Sequence, residues 1–309
     1  MKAMIDFDAA PIFGIPMADG SGVHEGMLIE GPQGWGEFSP LLACADDEAS
    51  RWLTAAVEGG TVGWPDSRRG RVPIAVVVGA VDPSSARRVV EASGCLAADV
   101  AVGTGSLAAD ADRVAAVRDA FGPQGRIRLS GNGTWGVDAA VSAIAVLVDA
   151  AGGVDFVADP CGSAAELGAL RGRVEVPIAS GPSCAGVVDV VVLRSGPLGG
   201  VRRALRVAER LELPCVVASS GETSIGLAAG LALAGALPEL RYACALGTVS
   251  ELTGDLVAPG RSLRPVDGHL PVAPTPAAPS ADLLRQYAIT DSDRADLWRR
   301  RLRAARGTA

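Results

Sequence analysis

The side chains that could do chemistry sit where short apolar runs end. Ile127-Arg-Leu-Ser130 runs into Gly131-Asn-Gly-Thr-Trp135, and Val154-Asp-Phe-Val-Ala-Asp159 into Pro160-Cys161. Pro177-Ile-Ala-Ser180 runs into Gly181-Pro-Ser183, and Val190-Val-Val-Leu-Arg194 into Ser195-Gly-Pro-Leu-Gly-Gly200. In a parallel barrel these strand ends and the loops after them carry the chemistry. Here most of them lack the carboxylates and lysines that would make a site reactive. The candidate catalytic residues are Asp99, Arg194 and Glu222, with Ser130 beside them. A desolvated carboxylate among them would have a raised pKa and could serve as acid or base. The plainer alternative is a solvated Asp and a helix-start Glu. Ser219 and Ser220 have no well-placed histidine, so a Ser-His triad is not expected.

The elements that must position these residues form a βα alternation from Arg71 onward. The patterning predicts strands at Val72–Val78, Ala98–Val102, Ile127–Ser130, Val154–Ala158, Val176–Ala179, Val187–Leu193, Cys215–Ser219 and Tyr242–Leu246. Helices are predicted at Ser84–Ala92, Leu107–Phe121, Val137–Ala151, Ala164–Arg171, Gly200–Leu211 and Thr223–Leu237. Near-continuous apolar strands separated by helices indicate a closed parallel α/β barrel. One crossover is too short: between Ser180 and Val187 the expected helix is missing. Residues 1–70 read as a separate small N-terminal domain with a hairpin around Gly31-Pro-Gln-Gly34 and a helix from Asp46 to Val57. The barrel spans 71–258. A Pro-rich segment and terminal helices, 259–309, are expected to pack back on the cap or barrel rim.

Composition narrows the partners. The net charge of −7 argues against nucleic acid and anionic membranes. No apolar run reaches the roughly 18 residues of a membrane span, and no signal-peptide pattern opens the chain. A cytoplasmic monomer or small homo-oligomer is the expectation. Lys2 is the only lysine, and His24 and His269 are the only histidines. Both histidines read as surface or interdomain packing residues. The six cysteines show no metal-ligand spacing and are expected to be buried and reduced. Gly131-Asn-Gly-Thr-Trp-Gly136 is a literal GxGxxG after a strand, with Asp159 closing the next one, so Gly131, Gly133 and Gly136 raise an NAD(P)-binding oxidoreductase as an alternative.

Taken together the chain resembles the enolase superfamily and, within it, the o-succinylbenzoate synthases of the actinobacterial menaquinone pathway. The resemblance rests on Ile29-Glu-Gly-Pro-Gln-Gly-Trp-Gly-Glu-Phe38, Asn132-Gly-Thr-Trp-Gly136, Pro160-Cys161, Pro197-Leu-Gly-Gly200, Ser219-Ser220 and Ala243-Cys-Ala-Leu-Gly-Thr248. It implies an enolase-like fold, a small α+β cap on a modified (β/α) barrel, and a lyase that uses Mg²⁺ and lysines on an enediolate. Carried across, the K-x-K motif falls on Asp99-Val100-Ala101 and the strand-six lysine on Arg194. The three metal-ligand positions fall on Ser130, Ala158 and Gly181. Ser, Ala and Gly offer no anionic oxygen to a hard cation, and guanidinium cannot act as a base. The expectation is therefore no Mg²⁺, no other cofactor, and loss of the dehydratase chemistry, leaving a pseudoenzyme or a metal-independent enzyme. An active synthase with an atypical site is the alternative. A small carboxylate ligand is expected on Ser130, Asn132, Gly199, Gly200, Ser219, Ser220 and Gly221, because loop N–H groups at a helix start bind anions. In the family's specificity loop this chain has Asp19-Gly20 and His24-Glu25.

Overall fold

The computed structural model describes residues 5–308. Three antiparallel strands, β1 (Ile12–Pro16), β2 (Val23–Gly31) and β3 (Gly34–Phe38), form the sheet of the cap in the order β1-β2-β3. The hairpin β2-β3 matches its sequence pattern; β1 was not expected. Helix α1 (Asp46–Thr61) starts with three acidic residues, which suit the positive end of its dipole. Its Ala49, Trp52, Leu53 and Ala56 recur at helical spacing and face the sheet. The approach is close enough to require glycine. A Cβ on Gly36 would lie 2.0 Å from the Ala56 carbonyl oxygen.

The barrel begins with β4 (Arg71–Pro73) and β5 (Ala75–Val78). It continues through α2 (Pro83–Ser93), β6 (Ala97–Ala101), α3 (Leu107–Phe121), β7 (Arg126–Ser130), α4 (Val137–Ala151) and β8 (Val157–Ala158). Then follow α5 (Ala164–Arg171), β9 (Ile178–Ser180), β10 (Val190–Leu193), α6 (Ser195–Leu198), α7 (Val201–Leu211), β11 (Cys215–Val217) and α8 (Ser224–Ala236). Strands β5 to β11 form one seven-stranded parallel sheet in sequence order. The predicted strand Tyr242–Leu246 is reduced to two parallel bridges, Cys244 to Ile74 and Ala245 to Ala218, which join the two edges.

Alternation sets the two faces. Ala98, Val100, Ile127, Leu129, Val191, Leu193 and Val217 pack outward in the large core beneath the helices. Phe156, Ala158, Ala179, Val190, Val192, Val216 and Ala218 fill a smaller core inside. The missing helix is a finding too. Pro182–Val187 winds as a 3₁₀ turn with no buried residue, so strand β10 starts only at Val190.

After α8 the chain runs along the barrel, and β12 (His269–Pro271) pairs antiparallel with β4. Two helices end it, α9 (Ala281–Gln286) and α10 (Ser292–Gly307). Ala295, Trp298, Leu302 and Ala305 of α10 join Phe38, Trp52 and Leu53 in one core, so the terminal helix completes the cap. All six cysteines are free. Burial pushes the thiols of Cys215 and Cys244 up to about 11. Cys44 and Cys184 are only half-buried, which corrects the expectation that all six would be buried.

Candidate functional site

Strands β6 and β7 put Asp99 and Arg128 side by side in register. Alternation aims both, and Ser130, into the barrel, because their neighbours Val100, Ile127 and Leu129 belong to the outer core. Asp99 Oδ2 accepts from Arg128 Nε at 3.0 Å, and Asp99 Oδ1 accepts from Ser130 Oγ at 2.5 Å. Arg128 Nη1 donates to the Ala243 carbonyl, and the guanidinium lies 5.4 Å from the Phe156 ring centre. A buried carboxylate needs such partners. The arginine facing Asp99 is therefore Arg128, not Arg194. Arg128 escaped the sequence reading although it stands two residues before Ser130, on the same face.

The positions that the resemblance assigns to metal ligands do not fit a magnesium ion. Ser130 spends its hydroxyl on Asp99. Ala158 presents a methyl to the inner core, and Gly181 has no side chain. Asp159 takes a left-handed backbone (φ 46°) and accepts from Ser180 Oγ at 2.6 Å, so its carboxylate pairs with Ser180 instead. Among the described residues no group of three His, Cys, Asp or Glu could hold a metal. A hard cation bound by oxygen ligands is not served by this set.

The loop after β11 is self-contained. Ser219 Oγ donates to Glu222 Oε2 at 2.5 Å and accepts from Thr248 Oγ1 at 2.7 Å. Ser220 N donates to Glu222 Oε2 at 2.8 Å, and Gly221 N to Ser219 Oγ at 2.8 Å. Burial raises the Glu222 carboxyl, the Ser219 hydroxyl opposes that, and the nearby Glu37 charge adds to the rise. Arg194 Nε donates to the Ser219 carbonyl at 3.3 Å. No hydrogen bond or ion pair among the described residues joins this loop to Asp99. The expected convergence of Asp99, Arg194, Glu222 and Ser130 thus resolves into two separate clusters. The N–H groups of Ser220 and Gly221 serve the protein's own side chains. What remains for a ligand is Arg194, which has no acidic partner among the described residues, and the buried Ser220 Oγ and Arg128 Nη2, which have no hydrogen-bond partner there.

Both barrel helices flanking that loop receive a carboxylate from the cap. Glu58 of α1 accepts from Val201 N at 2.5 Å and from Arg202 N at 3.1 Å, at the start of α7. Gly200 (φ +105°) permits this, since a Cβ there would lie 2.2 Å from Glu58 Oε2. At the helix start beside the expected ligand residues Gly199 and Gly200, the anion is the protein's own Glu58. At α8, Glu37 accepts from Thr223 N (3.1 Å), Thr223 Oγ1 (2.5 Å) and Gly226 N (3.2 Å). Ser39 Oγ donates to it at 2.8 Å, and His24 Nε2 lies 3.0 Å from it. Burial alone would raise Glu37, but His24, Thr223 and Ser39 together hold its carboxyl below the ordinary range. His24 thus packs within the cap, on the carboxylate that reaches the barrel. His269 sits on the tail, where its Nδ1 donates to the Asp267 carbonyl at 2.8 Å.

The glycine-rich turn is likewise occupied. Gly131 N, Gly133 N and Trp135 N donate to the carbonyls of Ala158, Asp159 and Pro160. The N–H groups of Gly131 and Gly133 are thus spent on the next βα turn and do not face a pyrophosphate. Asn132 is exposed with a left-handed backbone.

One acid at the mouth had no sequence signal beyond its place after the eighth strand position. Glu251 is half-buried, and burial, with the charges of Asp19 and Asp99, pushes its carboxyl up to about 7.

Comparison with known proteins places this arrangement. The family described as enolase C-terminal domain-like matches residues 83–278, and the enolase N-terminal domain-like family matches residues 13–60. The chain belongs to the enolase superfamily. It is 45% identical to the o-succinylbenzoate synthase of Thermobifida fusca (strain YX), covering 95% of each chain. It is 38% identical to that of Mycobacterium ulcerans (strain Agy99), covering 96% of this chain and 93% of the relative. The same fold appears in a muconate lactonizing enzyme structure from M. smegmatis, with TM-score 0.76 and 19% identity over 94% of this chain and all of that one. The L-Ala-D/L-Glu epimerase of Bacillus subtilis gives 0.75 and 18% over 90% of this chain and 98% of its own.

Proposed function

We propose that this chain is a divergent relative of the o-succinylbenzoate synthases that does not carry out magnesium-dependent dehydration and instead holds a small carboxylate under the cap. The observation that carries the reading is the Asp99–Arg128–Ser130 cluster. Where the resemblance puts a lysine and the first metal ligand, this chain has an ion pair and a hydroxyl already spent on it. Proton transfer by a lysine, and charge stabilisation by a hard cation, both lose their side chains at once. Arg194 keeps a positive charge at the mouth but stays protonated, so it can orient an anion and cannot abstract a proton. With the unpartnered Ser220 Oγ it supplies the donors for one carboxylate.

The test is magnesium calorimetry run beside an o-succinylbenzoate synthase assay on one preparation. The expected result is no heat of Mg²⁺ binding and no product. Magnesium-dependent formation of o-succinylbenzoate would overturn the proposal. Binding of o-succinylbenzoate that is lost in Arg194→Ala would support the carboxylate reading, and undiminished binding in that variant would remove Arg194 from it.

A further inference from the structure

No eighth barrel helix lies beside α8. Between Leu246 and β12 the described chain winds only two 3₁₀ turns, Thr248–Glu251 and Pro259–Arg261. After β12 a strap crosses α8 on its way to α9. It is tied at its two ends, where Val272 N donates to the Gly70 carbonyl at 2.9 Å and Ser280 N to the Leu256 carbonyl at 2.8 Å. Residues 273–279 between them make no backbone–backbone hydrogen bond among the described residues, and Pro274, Pro276 and Pro279 have no N–H to offer.

Beneath the strap lies a cleft of about 960 Å³. Its wall on α8 is Ser224, Ala228 and Leu231, one face of the helix by their spacing of four and three. Leu263 and Leu270 continue the apolar lining, and the strap adds prolines and alanines. Two charged side chains line the cleft, Arg261 and Arg264, and no aspartate or glutamate does. Neither arginine has an ion pair or a side-chain hydrogen bond among the described residues. Asp255, which touches the lining serines, is taken up by other donors. Ser224 N and Leu256 N donate to its Oδ1, and Ser224 Oγ and Ser262 Oγ to its Oδ2. The cleft of about 600 Å³ beside the end of α7 differs, since Arg68 and Arg241 share its lining with Glu209, Glu212 and Glu239. Only the cleft under the strap has a single sign of charge.

We propose that this cleft is a second ligand site, which takes an organic carboxylate with an apolar body. The body lies on Leu231, Leu263 and Leu270 under the strap, and the carboxylate sits on Arg261 and Arg264. The volume is that of a site for a small organic molecule, and an apolar lining with a few converging polar groups is the usual make-up of one. Guanidinium stays charged and offers paired N–H donors that match a carboxylate, so the two arginines select an anionic head over a neutral one. Entry costs the strap no backbone–backbone hydrogen bond, because residues 273–279 make none. The site is independent of the reading of the mouth, since it uses neither Arg194 nor any residue of the cap.

Calorimetric titration of the full chain with decanoate, kept below the concentration at which it forms micelles, tests it. The expected result is saturable binding that weakens at least about tenfold in the double variant Arg261→Ala with Arg264→Ala. Val266→Asp, which puts an acid on an exposed part of the lining, should weaken it about threefold. All three positions are exposed, so unfolding by urea should be unchanged in these variants. The binding that the double variant loses should persist in Arg194→Ala, which sets it apart from the mouth. No saturable binding, equal binding in the double variant, or loss of that binding in Arg194→Ala would overturn the proposal. So would a dimer that Val266→Asp dissociates and decanoate leaves intact, because the cleft would then belong to a second copy of the chain.

Discussion

The barrel mouth and the cap–barrel joint both bury carboxylates, yet they treat them in opposite ways. At the joint, Glu37 and Glu58 each enter a helix start, where N–H groups and hydroxyls converge on their oxygens. The positive end of a helix dipole and its free donors suit a carboxylate there. At the mouth, Asp99 has one guanidinium and one hydroxyl, half-buried Glu251 has no hydrogen-bond partner among the described residues, and the exposed Asp19 has only its own turn. The joint is a finished structural network. The mouth leaves its charge only partly balanced. The contrast teaches that the same residue type is structural where donors converge on it and titratable where they do not.

Four experiments would break or sharpen that comparison. The largest effect is expected from Glu37→Ala, which strands the N–H groups of Thr223 and Gly226 and leaves His24 and Ser39 unpaired. It should cost about 3–5 kcal/mol in urea unfolding. Because Glu37 is held below its ordinary value, its stabilisation is present above the unfolded carboxyl's pKa and is lost as pH falls through the folded one. The variant should therefore flatten the acid limb of the stability curve. A loss under about 1 kcal/mol would mean that the joint is not held by this network.

At the mouth, Asp99→Asn leaves Arg128 buried without its counter-charge. The cost should be about 2–3 kcal/mol, less than at the joint because the guanidinium keeps the Ala243 carbonyl and the Phe156 face. The double variant Asp99→Asn with Arg128→Met should recover part of it. Full additivity in this cycle would deny the pair.

Glu251→Gln has the opposite sign. Its folded carboxyl is raised, so it weakens the fold as pH rises from the unfolded value toward about 7. The variant should be stabilised by about 1–3 kcal/mol at pH 8 and unchanged at pH 4. Equal stabilisation at both values would show that charge is not the cause. The smallest change is Ser130→Ala, which removes one hydroxyl from Asp99 and should cost about 1 kcal/mol by thermal or urea unfolding. A cost well above that would move Ser130 from a minor partner to a main support of the cluster.

Much of the fold was legible before any coordinate. Strand and helix periodicities are local, and the runs ending at Ser130, Ala158, Ser180 and Leu193 became strands β7 to β10 in parallel order. The short Ser180–Val187 link announced a missing helix because crossover length is also local. Less legible were β1, whose pairing with β2 is what makes it a strand, and Tyr242–Leu246, whose apolar run suggested a full strand where tertiary pairing grants only two bridges.

The candidate site divides along the same line. Sequence alone determined which residue types stand at the positions the resemblance singled out: Asp99, Ala101, Ser130, Ala158, Gly181 and Arg194. Side-chain chemistry does not depend on folding, so what each of these positions offers could be read directly. Only the tertiary structure decided what each remaining charge does. Glu37 meets Thr223 across 186 positions of sequence, and Glu58 meets Val201 across 143. Arg128 became the partner of Asp99 through strand register, and Glu251 acquired its proton affinity from burial and from acids far along the chain. A carboxylate's role is set by the donors, charges and solvent around it, and in a barrel those come from elements distant in sequence.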